Sequence, residues 1–111
     1  MASDLEFAEY VCEQIGLDER ISLRKMFGEF AVYCDGKVVG LICDNQLFVK
    51  MTAGGRAWAP ELLEGQPFPG AKPWLRVDTE LEDRGWLTEL VRITEREVPI
   101  PKPKKKERPG T

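Results

Sequence analysis

The sequence has no histidine, so the side chain most often used as a general base near neutral pH, and the commonest metal ligand, is missing. Its three cysteines are odd in number and nowhere spaced as C-x-x-C. That argues against a disulfide framework and a zinc site of the usual spacing, and leaves reduced thiols as the simpler reading. Long apolar runs are absent too: the longest, VVGLIC, falls far short of the roughly 20 residues that span a bilayer. The opening, MASDLEFAEYVCEQ, lacks the basic start and unbroken apolar stretch of a secretory signal. A cytoplasmic protein without membrane association is expected. Neither a G-x-x-x-x-G-K-[ST] loop nor a G-x-G-x-x-G element is present, and no pair of carboxylates stands out as acid and base. The expectation is a noncatalytic protein with no metal or cofactor.

What is present suits one globular domain. The chain has 111 residues, 42% hydrophobic and 32% charged, enough for a single core and well outside the composition of disordered chains. Residues 1–98 are expected to form that domain and residues 99–111, PIPKPKKKERPGT, an extended or disordered tail, because Pro99, Pro101 and Pro103 prevent a helix from continuing. The net charge of -3 divides unevenly: five basic residues and one acidic residue in the tail leave the rest at -7. A basic tail can attract phosphates, but it has no aromatic residue for base stacking and the acidic body repels the same backbone. Nucleic acid is therefore a weakly supported partner.

Ser3 and Glu6 have the spacing of a capping box, and Leu5, Ala8, Cys12 and Ile15, widened by Phe7 and Val11, recur on one helical face that Gly16 can end. Cys12 reads as a small core residue. From about Ser22 to Met51 the period becomes that of strands. Asp35-Gly36 and Asp44-Asn45 are two-residue turn signals, giving a three-stranded meander in which Gly28 marks a bulge or bend, or alternatively the close approach of a ligand. In that register Cys34 faces Lys37 and Cys43 faces Gly28, about 20 Å apart, too far for a disulfide. Phe30, Val32, Val39, Leu41 and Phe48 share one face; Ala31, Tyr33, Val38, Ile42, Leu47, Val49 and Met51 share the other. Both are largely apolar, so each needs a cover. An unknown protein partner or a second copy of the chain would supply one; the alternatives are a loop across the sheet or a register error.

Beyond the meander, Pro60 is placed to open a short helical turn ended by Gly65, with Trp58, Leu62 and Leu63 turned inward. PWLRV, residues 73–77, reads as a further strand on an edge. Leu81 anchors the polar segment after Thr79, and Asp83 can cap a final helix to about Glu97 with Leu87, Leu90, Val91 and Thr94 as its inner stripe.

The candidate binding residues are Arg24, Lys25, Lys50, Lys72 and Trp74. Arg24 and Lys25 are adjacent in a strand and point to opposite faces, so two separate surface charges are expected rather than an anion clamp. Lys50 shares a face with Leu41 and Phe48, where its methylenes can lie on apolar surface with the ammonium in water; ligand binding is the alternative. Cys34 near Lys37 is the least implausible nucleophile, since a thiol needs a nearby base or cation to ionise.

The run RKMFGEFAVYCDGKVVGLICDNQLFVK, with the helix before it and PFPGAKPW and a helix after it, resembles the TfoX N-terminal domain family over residues 3–97. Its most specific elements are Arg24-Lys25-Met26-Phe27-Gly28, the turn Asp35 to Lys37, Leu41 and the segment ending at Lys50. The resemblance implies a two-layer α+β domain: an antiparallel sheet, here the three-stranded meander plus at least one further strand, with N-terminal and C-terminal helices packed mainly on one face. It also implies a link to transcription or competence regulation, the family being named for a coactivator of competence genes, and it supplies no catalytic residues. The expected function is a noncatalytic regulatory or protein-interaction domain. The alternatives are a nucleic-acid-associated regulator using the tail and a small-molecule-binding domain or enzyme.

Overall fold

The computed structural model describes residues 3–99; the tail from residue 100 onward lies outside them. Helix α1 (Leu5–Ile15) leads through a 3-10 turn into four successive strands, β1 (Ile21–Met26), β2 (Glu29–Cys34), β3 (Lys37–Cys43) and β4 (Gln46–Val49). Helix α2 (Ala53–Trp58), strands β5 (Glu64–Gly65) and β6 (Trp74–Val77), a second 3-10 turn and helix α3 (Arg84–Glu97) complete the described residues. All strands among them join one antiparallel sheet in the order β1-β2-β3-β4-β6-β5. The fold is α+β.

Three two-residue turns make the meander, one more than expected. Phe27-Gly28, Asp35-Gly36 and Asp44-Asn45 each have both residues at positive φ, 48° and 83°, 52° and 83°, 54° and 56°. This is the type I′ geometry whose twist matches that of the flanking strands. Gly28 is thus a turn residue and neither a bulge nor a bend; phenylalanine at the preceding position conceals the signal. The bulge lies elsewhere. Val32 pairs with Gly40 and Tyr33 with Val38, so Val39 is the extra residue, and every position of β3 beyond it changes face relative to a uniform register.

Val39 and Ile42 consequently both reach the core, with Phe30, Val32, Leu47 and Val49, whereas Leu41 turns to the outer face beside Phe48. Helices α1 and α3 cover the inner face. Ala8, Val11 and Ile15 enter the core from α1, and the stripe of Leu87, Leu90, Val91 and Thr94 on α3 is buried as its period requires. Asp83 caps α3 by accepting from the Trp86 amide at 3.3 Å. Burial of these side chains at about 25 cal/mol per Å² of apolar surface is the main source of stability.

Helix α1 starts differently from the capping-box expectation. Asp4 is the N-cap and no side chain caps the helix. Ser3 instead donates its hydroxyl to the Glu29 carboxylate and accepts from the Asn45 amide at 2.9 Å, while its own amide donates to the Gly28 carbonyl at 3.1 Å. The start of α1 is thereby tied across two hairpin turns. The apolar face rotates accordingly: Leu5 remains exposed, Cys12 is only partly buried, and Gln14 is buried, donating to the Leu81 carbonyl at 3.0 Å.

The helix after the meander lies in AGGRAW, before Pro60 rather than at it. The Thr52 hydroxyl accepts from the Gly55 amide at 3.0 Å and caps it. Its glycines allow close packing: a Cβ on Gly54 would stand 2.8 Å from Ile93 of α3, and one on Gly55 would stand 2.8 Å from the Thr52 hydroxyl. Leu62 is buried as expected, but Trp58 and Leu63 are exposed. Strand β6 is interior rather than an edge, because two-residue β5 pairs outside it.

Candidate functional site

The outer face of the sheet holds the candidate site. Cross-strand pairing aligns Arg24, Ala31, Leu41, Phe48 and Arg76 in one row, and its three central members are buried. Their cover comes from the chain itself: the segment after β5 crosses this face. Pro67 and Phe68 line one hollow with Leu41 and Cys43, and a Cβ on Gly65 would stand 3.1 Å from the Phe48 ring.

That segment is shaped by Phe68-Pro69-Gly70-Ala71. The Ala71 amide donates to the Phe68 carbonyl at 3.1 Å and Gly70 has φ 86°, the signature of a type II turn with proline and glycine at its centre. Gln66 closes the loop by donating from Nε2 to the Ala71 carbonyl at 2.7 Å. The turn holds Phe68 half exposed between two hollows.

One hollow, of about 720 Å³, is lined by Lys50, Met51, Glu64, Phe68, Lys72 and Trp74 among others. Lys50 Nζ lies 5.8 Å from the centroid of the Trp74 ring, a cation–π separation. The structure thus brings together three of the five sequence-predicted binding residues. Arg24 stands apart on β1, with β2 and β3 between it and β4, and its guanidinium lies 5.4 Å from the Tyr33 ring centroid. Lys25 pairs with Phe30, in the row that faces the opposite way. The two adjacent charges form no clamp.

The second hollow, about 490 Å³, is lined by Met26, Phe27, Leu41, Cys43 and the Pro67-Phe68-Pro69 stretch. Its rim is the exposed apolar margin missed in the sequence. Met26 and Phe68 are exposed, and Phe27, at the tip of the β1–β2 hairpin, is 103% exposed relative to an extended reference chain. A bulky residue rarely adopts positive φ, so Phe27 combines an unfavourable backbone with a wholly solvated ring. Treating Phe-Gly as a two-residue turn would have exposed this feature.

The family profile of the TfoX N-terminal domain matches residues 13–97, which span the whole sheet and both hollows. The chain belongs to the TfoX N-terminal domain family. It is also 40% identical over 105 residues to an uncharacterised 12.7 kDa protein in the trpE 5′ region of Spirochaeta aurantia, covering 95% of this chain and 91% of that one.

In this TfoX N-terminal domain the cysteines are free, and their surroundings disfavour thiolates. Burial, and then Glu9, push the Cys12 thiol up to about 11. Cys34 is fully buried in the core and its thiol is raised by burial, with Arg20 pulling the other way; Cys43 is raised by burial and Glu29. Lys37 does not activate Cys34. Its ammonium lies 3.1 Å from the Glu95 carboxylate and donates to the Glu95 carbonyl at 3.0 Å. Among the described residues no group of three or more Cys, Asp or Glu is placed to hold a metal ion, and no helix is long and apolar enough to cross a membrane.

Proposed function

We propose that this domain is a noncatalytic cytoplasmic regulator of transcription or competence that acts by binding a protein partner, and that the partner docks on the apolar margin formed by Met26, Phe27 and Phe68. The observation that supports this most is Phe27. A left-handed backbone costs an ordinary L-residue roughly 1–2 kcal/mol, and strained positions of this kind concentrate where function retains them. A fully exposed aromatic ring gives the folded monomer nothing in return. Aromatic side chains with few rotatable bonds are effective interface anchors, and the hollow beside Phe27 offers the matching recess.

The test is photocrosslinking from position 27. A benzoylphenylalanine in place of Phe27 keeps an aromatic ring at the tip. Irradiation in cell extract should yield a discrete adduct that excess unlabelled protein suppresses and a Phe27→Asn variant does not. A second copy of this chain in the adduct would identify the partner as the chain itself. No adduct, or one suppressed equally by both competitors, would overturn the reading.

A further inference from the structure

The hollow around Lys50, Lys72 and Trp74 has a different chemistry from the margin at Phe27. We infer that it is a binding site for a small anion that carries a planar aromatic ring, the ring stacked against Trp74 and Phe68 and the acid group held by Lys50 and Lys72. Its volume of about 720 Å³ falls within the range of ligand sites, which are mainly apolar with a few convergent polar groups. Met51, Phe68, Ala71, Pro73 and Trp74 supply that apolar wall, and Lys50, Lys72 and Glu64 are the charged residues of the lining.

Charge complementarity selects an anion. Neither Lys50 nor Lys72 forms an ion pair with a carboxylate among the described residues. The one carboxylate in the lining, Glu64, lies 3.7 Å from Arg56, so the lining carries two cationic residues against one acidic residue that has another partner. They stand in a chain whose first 98 residues carry a net charge of -7. A long polyanion would meet that field along its length, whereas a single small anion meets only the local lysines.

Backbone contacts position the segments that carry the lining. The Lys50 amide donates to the Val39 carbonyl at 2.8 Å, Val49 pairs with Leu75 next to Trp74, and the Pro69-Gly70 turn sets Phe68. Lys50 Nζ lies over the Trp74 ring, 5.8 Å from its centroid, so a planar ligand that stacks on that face takes the ammonium's place and leaves it to pair with the ligand's acid group. This inference does not rest on the docking reading. Phe68 borders both hollows, but Lys50 and Lys72 line only the larger one.

Two sources share this chemistry, aromatic carboxylates and nucleoside monophosphates, and calorimetry on the full chain with 2-naphthoate and AMP separates them. Thermal unfolding provides a second readout, because selective binding to the folded state raises its melting temperature. At least one probe should bind and raise the melting temperature, while the neutral analogue 2-naphthalenemethanol and inorganic phosphate should each bind at least tenfold more weakly. A Lys50→Gln, Lys72→Gln double variant, which keeps polar side chains and removes both positive charges, should lose at least tenfold in affinity. Binding of neither probe, equal binding of the neutral analogue, or an unchanged double variant would overturn the inference.

Discussion

Gly55 and Gly85 show how one residue type does opposite work in two helices. Alanine is the better helix former by about 1 kcal/mol, and a Cβ on Gly85 meets nothing within 4 Å, so Gly85→Ala should stabilise the fold by about 0.5–1 kcal/mol. At Gly55 the added atom would stand 2.8 Å from the Thr52 hydroxyl that caps α2 and 3.4 Å from Leu90. Gly55→Ala should therefore destabilise by about 1–3 kcal/mol, and urea unfolding of the two variants distinguishes the cases. Cys12 gives a pH-dependent counterpart. With its thiol raised from 9.0 to about 11, the native protein holds on the order of a hundredfold less thiolate at pH 8 than the unfolded chain. Iodoacetamide should label native Cys12 far more slowly at that pH, with the gap closing towards pH 11. Since the folded-state value is the higher one, this group's contribution to stability is present below about pH 9 and is lost between 9 and 11.

At the scale of elements, legibility followed local chemistry. Helix α3 was readable because a cap, Asp83, and a 3.6-residue stripe coincide. The turns at Asp35 and Asp44 were readable because their residues tolerate positive φ. The third turn was hidden by Phe27. Helix α2 was hidden by two glycines, whose low propensity is overridden by packing on α3, a tertiary reason that no window of sequence contains. The Val39 bulge likewise redistributed Leu41 and Ile42 between faces, and its one marker in the sequence, the strand glycine Gly40 beside it, was not read as such. The candidate site was partly legible: Lys50, Lys72 and Trp74 converge, but Phe68 and Met51 joined them through the chain's path. The attachment of the β2–β3 hairpin to α3 carries its own prediction. Lys37 and Glu95 have side chains only 14% and 15% exposed, and Arg20 joins the cluster from 3.6 Å. Glu95→Ala leaves a partly buried ammonium without its carboxylate, and should lower stability by about 1–2 kcal/mol in a urea titration, beyond what an exposed pair would contribute.

At the scale of the whole molecule, one sheet divides the labour. Its inner face and two terminal helices build the core, while the chain's own Pro67-Phe68-Pro69 stretch crosses the outer face. The apolar margin at Phe27 and the hollow around Lys50, Lys72 and Trp74 are the two surfaces proposed for recognition. The account turns on Phe27 being retained for recognition against the preference of the fold. Urea unfolding of Phe27→Asn measures this most directly, since asparagine followed by glycine is the preferred pair for a type I′ turn and removing a wholly exposed ring sacrifices no packing. The account predicts a midpoint shifted to higher urea, equivalent to about 0.5–1 kcal/mol, with an unchanged slope. A midpoint shifted to lower urea would make Phe27 a structural residue and would contradict the central claim.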